Sequence, residues 1–216
     1  AQLSFLTCLQ QSIMNFGILM VQGRVNSFGT AVMAAFAAAV KIDSFAYMPV
    51  QDFGNAFSTF IAQNYGAGKQ KRISQGIKSA VLAAFAFCLI ISAAVCVFAA
   101  PLMGIFVKAS ETEIISIGVG YLRIEGAFYF GIGLLFLLYG YYRAVKMPGM
   151  SVVLTILSLG TRVVLAYTLS AIPAVGVTGI WVSVPIGWAL ADLVGVVYYW
   201  RKMRNLYYGE NCKKQV

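Results

Sequence analysis

The chain has 216 residues, of which 60% are hydrophobic and 11% charged, with a mean hydropathy of +0.81. A soluble domain of this length needs far more charge to cover its surface, so the composition excludes one. The net charge of +9 needs no nucleic-acid partner, because membrane orientation and attraction to anionic inner-leaflet lipid account for it.

Cutting the sequence at its charge clusters leaves six apolar segments, at about 3–23, 31–60, 78–100, 118–142, 150–170 and 177–200. Each can supply the roughly 20 helical residues that cross a hydrocarbon core. The runs stay apolar throughout, as in Ala80–Ala100, where the strands of a membrane barrel would alternate. The fold class is thus an all-α membrane protein, with residues 1–200 forming a six-helix transmembrane lobe and 201–216 a basic cytoplasmic tail. No cleavable signal peptide is evident, and the chain enters its first span almost at Ala1, which reads as a piece of a longer protein.

The first segment holds Ser4, Gln11, Asn15 and Gln22 within a narrow arc of the helix. A polar stripe of this kind cannot face lipid. It either hydrogen-bonds to neighbouring helices, at about 0.6 kcal/mol per contact, or walls a water-filled cavity. In the second segment, Lys41, Met48, Asp52 and Asn55 share a face if the helix is regular, with Pro49 disturbing the phase. Asp43 points elsewhere and needs a partner on another helix. Ionisable groups in spans are functional candidates by default. Here they read either as structural ion pairs or as part of a proton or substrate path.

The short basic stretch Gln63–Arg72 follows, with Gly66 and Gly68 where the backbone must turn. Eleven of the sixteen basic residues fall on its side of the membrane: Lys69, Lys71, Arg72, Lys78, Arg143, Lys146, Arg201, Lys202, Arg204, Lys213 and Lys214. Only Arg24 and Lys108 fall in loops on the other side. Both chain ends are therefore expected in the cytoplasm. The opposite loops are Arg24–Thr30, Pro101–Ile117 and Ser170–Gly176.

The fourth segment carries Arg123 and Glu125 close to its outer end, where they are expected to reach headgroup or water. The fifth carries the single-face stripe Ser151, Thr155, Ser158 and Arg162. Arg162 lies roughly 18 Å above the cytoplasmic end, so a buried pair with Asp192 of the sixth segment or with Asp43 is expected. Pro49 and Pro185 are candidate kinks. Arg201, Lys202 and Arg204, set among Tyr198, Tyr199, Trp200, Tyr207 and Tyr208, read as an interfacial anchor. The chain has no histidine, and Cys8, Cys88, Cys96 and Cys212 form no metal-ligand spacing or disulfide framework, so neither an enzyme nor a metal site is expected.

Several stretches together carry a resemblance: Asn26-Ser-Phe-Gly-Thr30 before Ala34-Ala35, Lys41-Ile-Asp-Ser44 before Met48-Pro49, and Ser58–Lys69 with its Gly-Ala-Gly-Lys turn. Tyr121-Leu-Arg-Ile124 and Gly140-Tyr-Tyr-Arg143 before Pro148 belong with them. The chain resembles the multidrug and toxin extrusion (MATE) family, on the bacterial side that includes the damage-inducible F-type proteins. The resemblance implies a twelve-helix transporter of two lobes, of which this chain, with a single basic glycine loop, is similar to the C-terminal one.

The resemblance further implies antiport: lipophilic or cationic drugs and toxins leave in exchange for protons or sodium as two lobes rock, and no cofactor is required. Gln11, Asn15, Lys41, Asp43, Asp52, Asn55, Arg162 and Asp192 are the candidates for the substrate or ion pathway. The cation-binding Glu and Asp of the sodium-coupled branch are missing from Gln10–Met14 and Phe128–Leu138, which favours protons, coupled through a carboxylate of the missing N-terminal lobe. Membrane lipid and that lobe are the expected partners. The alternatives are a lipid-linked polysaccharide flippase of the same superfamily and a six-helix homo-oligomeric channel or scaffold.

Overall fold

The structure is a computed structural model. It describes residues 2–213, with side chains described for residues 8–202. The expectations that rest on the side chains of Ser4, Arg204, Tyr207, Tyr208, Cys212, Lys213 and Lys214 fall outside that range.

The described residues form eight helices and no strand: α1 (Gln2–Asn26), α2 (Thr30–Gly66), α3 (Gln70–Val97), α4 (Ala99–Phe106), α5 (Thr112–Gly126), α6 (Tyr129–Ala144), α7 (Pro148–Ser170) and α8 (Val177–Lys213). Four of them, α2, α3, α7 and α8, are long and apolar enough to cross a membrane. α5 and α6 together make a fifth span, bent by 53°. In α1 the described side chains begin at Cys8, and they include Gln10, Gln11, Asn15 and Gln22.

Two predicted segments change shape. The outer connection after α3 contains the additional short helix α4, with Pro101 in its first turn, where no intrahelical N–H is missed. Met103 of α4 is fully buried beneath Gly118 of α5. The fourth span is broken at Ala127 and Phe128, and it begins at Thr112, six residues before the predicted start. No proline causes this break. It follows Gly126, whose Cα packs against Val95 and Cys96 of α3 so closely that an added Cβ would lie 3.3 Å from Val95. By contrast, α2 continues through Pro49 and α8 through Pro185.

The turns follow from local chemistry. α2 ends in a Schellman arrangement: Lys69 N–H donates to the Asn64 carbonyl at 2.9 Å, Gly68 N–H donates to Tyr65 at 3.1 Å, and Gly68 takes φ +68°. Its glycines thus serve the cap that the sequence placed at Gln63–Arg72. At the opposite end of the lobe, Arg24 Nε donates to Ser170 Oγ at 2.8 Å and ties the end of α1 to the end of α7. This agrees with the prediction that both lie on one side.

Between spans there is little hydrophobic drive toward association, because lipid tails are as apolar as the side chains. Close backbone approach takes its place. Two helix pairs depend on it: α2 with α6, where a Cβ on Gly140 would lie 2.6 Å from the Gly54 carbonyl oxygen, and α7 with α8. In the second pair, Gly187 meets the Ser158 carbonyl and Gly179 lies against the Leu169 backbone. Tyr142, fully buried, donates to the Gly195 carbonyl at 2.6 Å and joins α6 to α8.

Gly140→Ala should therefore destabilise the lobe by about 1–3 kcal/mol, because its methyl meets backbone that cannot swing aside. Gly160→Ala, with nothing within 4 Å of the added Cβ, should be neutral or stabilising. Thermal unfolding in detergent distinguishes the two, and equal midpoints would contradict the close-packing account.

Candidate functional site

The strongest concentration of buried polar chemistry lies where α2, α5 and α6 meet. Asp43 of α2 is 2% exposed, Glu125 in the last turn of α5 is 4% exposed, and Tyr129 opens α6 at 2%. The Tyr129 hydroxyl donates to Asp43 Oδ1. Glu125 and Tyr121 precede Tyr129 by four and eight residues and are likewise buried. Tyr121, Glu125 and Tyr129 are four residues apart, so one face carries all three across the helix break. Asp43 Oδ2 and Glu125 Oε1 are buried without a hydrogen-bond donor.

An aromatic cluster adjoins the group through Tyr121. Phe36 and Trp181 stack at 5.5 Å, and Tyr121 packs edge-on to Trp181 at 4.9 Å and to Phe36 at 5.6 Å.

The prediction that Asp43 needs a partner on another helix is met by Tyr129. The placement of Glu125 near headgroup or water is corrected. α5 starts at Thr112, so Glu125 sits about 20 Å along the helix and is buried. Arg123, two residues earlier, is exposed. The signal for the cluster was present in the sequence as the spacing Tyr121, Glu125, Tyr129.

Arg162 is positioned on α7 where Gly187 of α8 makes room, its Cβ lying 3.5 Å from the position a Gly187 Cβ would take. Its Nε is buried and has no hydrogen-bond partner, so the expected contact pair is not made through that nitrogen. Among the described residues no hydrogen bond or ion pair joins Arg162 to Asp43 or Asp192, so the expected pair is not formed. Asp192 is buried beside Gly131 and Trp188, with Oδ1 also unpartnered. The rest of the α7 stripe faces inward: Ser151 donates to the Tyr139 carbonyl at 3.3 Å and Thr155 to the Ser151 carbonyl at 3.0 Å.

The remaining candidates lie elsewhere. Gln11 and Asn15 on α1, and Lys41, Asp52 and Asn55 on α2, are all exposed. Lys41 Nζ stands 5.9 Å from the centre of the Phe106 ring. Met48 is exposed on the same face as Lys41, Asp52 and Asn55, so the shared face survives Pro49. The described residues contain no group of three or more His, Cys, Asp or Glu side chains able to hold a metal ion.

A bent helical span in a bundle with four further helices long and apolar enough to cross a membrane defines a polytopic membrane protein. The MatE family description fits residues 3–168, and the chain belongs to that family, whose members are multi-pass membrane transporters. A probable multidrug resistance protein of Bacillus subtilis, YpnP, is 28% identical over 202 residues, which is 91% of this chain and 44% of YpnP. The probable multidrug resistance protein NorM of Thermotoga maritima is 21% identical over 194 residues, 89% of this chain and 40% of that protein. Among solved structures, a MOP superfamily transporter from Pyrococcus furiosus superposes with a TM-score of 0.84 at 22% identity, covering 93% of this chain and 44% of its own. The Vibrio cholerae MATE transporter VcmN gives 0.83 at 23% identity, with coverages of 91% and 44%. The chain thus spans less than half the length of the curated relatives it matches.

Tyr129→Phe should destabilise the lobe by about 1–3 kcal/mol, because it leaves a buried carboxyl oxygen without a donor. A double-mutant cycle with Asp43→Asn in thermal unfolding should be clearly non-additive. Additive losses would mean that the two side chains do not interact.

Proposed function

We propose that this chain is one lobe, the C-terminal one, of a multidrug efflux antiporter, and that Asp43 and Glu125 form its proton-binding site. The observation that carries the reading is the MatE match over residues 3–168, in a chain less than half as long as its multidrug-resistance relatives. α1 serves as the sixth span, beside the five that are apolar by composition. The basic ends of the spans face the cytoplasm of a bacterial inner membrane.

The proton site follows from the cost of burying charge. Two ionised carboxylates about 4 Å apart repel by roughly 4 kcal/mol even at an effective dielectric of 20. A proton held between them removes that repulsion and satisfies the carboxyl oxygens that have no donor. When the proton leaves, Arg162 and the hydroxyls of Tyr121 and Tyr129 compensate the new charge. The elements that close on the pair, α5 and α6, meet at a break, so a change in its charge bears on a bend in the span. With this site the lobe carries coupling carboxylates of its own, where the resemblance implies one in the missing N-terminal lobe.

The substrate is a lipophilic or cationic drug held between two lobes. Gln11 and Asn15 of α1 and Lys41, Asp52 and Asn55 of α2 are exposed on this lobe and are the proposed contribution to that wall. One lysine and one aspartate among amides favour a drug over the anionic carrier of a polysaccharide flippase.

In inside-out vesicles containing the chain together with an N-terminal lobe, drug addition should release accumulated protons. Asp43→Asn or Glu125→Gln should reduce that exchange about tenfold or more, in line with the loss of a positioned proton-transfer group. Glu113→Gln, exposed at the start of α5, should leave it intact. Exchange that survives both substitutions, or that follows sodium alone, would overturn the assignment. Liposomes holding only this chain should show no efflux, and transport by them would refute the half-transporter reading.

A further inference from the structure

A second built site lies at the basic end of the lobe, away from the carboxyl pair. The end of α2 and the α6–α7 connection border an open cavity of about 540 Å³ lined by Asn55, Ser58, Thr59, Gln63, Arg143 and Lys146. Two cations, two hydroxyls and two amides line it without a carboxylate. Arg143 is held in place at two points: its Nε donates to the Tyr139 carbonyl at 3.2 Å, and Nη2 donates to Asn55 Oδ1 at 3.1 Å. A guanidinium fixed in this way presents its remaining N–H groups in a planar fork suited to phosphate or carboxylate oxygens.

The backbone adds an independent observation. α6 ends in the same Schellman arrangement as α2: Met147 N–H donates to the Tyr142 carbonyl at 2.8 Å and Lys146 N–H donates to Arg143 at 3.3 Å. At the corresponding position in α2 stands Gly68, but here it is Lys146, with φ 61°. Among the described residues Lys146 is the only non-glycine at positive φ; the others are Gly29, Gly68 and Gly176. The left-handed conformation strains a side chain by crowding its Cβ against the backbone, and glycine would remove that strain. Placing a lysine there sets its charge on the cavity rim at a loss of stability, as strained residues at binding sites do.

We infer that this cavity is a binding site for a phosphate-bearing anion, with Arg143 as the forked donor and Lys146 as the second charge. At the membrane-facing end of a helical lobe, the chemistry matches the headgroup of an anionic phospholipid, and a soluble phosphate shares it. The site is independent of the carboxyl pair and of the coupling ion.

The test uses the full chain in detergent, titrated with phosphatidylglycerol, with phosphatidylcholine and with inorganic phosphate, and read by native mass spectrometry. Phosphatidylglycerol should be retained about tenfold better than phosphatidylcholine, a difference of about 1.4 kcal/mol. Arg143→Gln and Lys146→Gly should each lose this preference. Lys71→Gln with Lys78→Gln, two exposed cations on α3 outside the cavity, should keep it. Lys146→Gly carries its own folding control, because it should raise the thermal midpoint while weakening binding. Retention of inorganic phosphate that depends on Arg143 and Lys146, without a lipid preference, would assign the site to a soluble phosphate. Equal lipid retention by Lys146→Gly and the α3 double variant, or no dependence on Arg143, would overturn the proposal.

Discussion

The constraint on which the lobe depends is the burial of Asp43 and Glu125 in a bundle made almost entirely of apolar side chains. A charge in such surroundings must be paired, hydrogen-bonded or neutralised. Tyr129, the first residue of α6, supplies the hydrogen bond.

Around that feature the lobe divides into packed pairs. α2 lies on α6 with glycine against backbone at Gly54 and Gly140, and α7 lies on α8 in the same way at Ser158 and Gly187. Contacts of this kind resist sliding, since little side chain is available to deform. The α5–α6 break, by contrast, combines the close approach of Gly126 to α3 with the Tyr129–Asp43 hydrogen bond. The anion cavity at the other end draws on the same α2–α6 pair, since Asn55 on α2 fixes Arg143 on α6.

Much of this was legible in the sequence, for definite reasons. Long apolar runs have few solutions in a membrane, so the helical class and the approximate spans followed from composition. The basic loop at Gln63–Arg72 named a turn, and its Gly68 takes the left-handed conformation that the turn requires. Ser151, Thr155 and Ser158 share a face by helical phase alone, and that face is buried. Asp43 was read as needing a partner because its phase set it apart from Lys41 and Asp52. The extra helix α4 and the earlier start of α5 were not legible. Hydropathy falls at Lys108–Glu113 and hides helices that charge does not prevent. That error placed Glu125 near the surface and so concealed the carboxyl pair. By charge alone Lys146 is one more positive-inside residue, because no composition argument reveals a backbone angle.

The central claim, that Asp43 and Glu125 share a proton inside the lobe, is tested most directly by infrared spectroscopy of the carboxyl stretch at neutral pH. The account predicts a protonated-carboxyl band that Asp43→Asn and Glu125→Gln each shift or abolish, and that Asp192→Asn leaves in place. Absence of that band, or a band unchanged in both Asp43→Asn and Glu125→Gln, would contradict it.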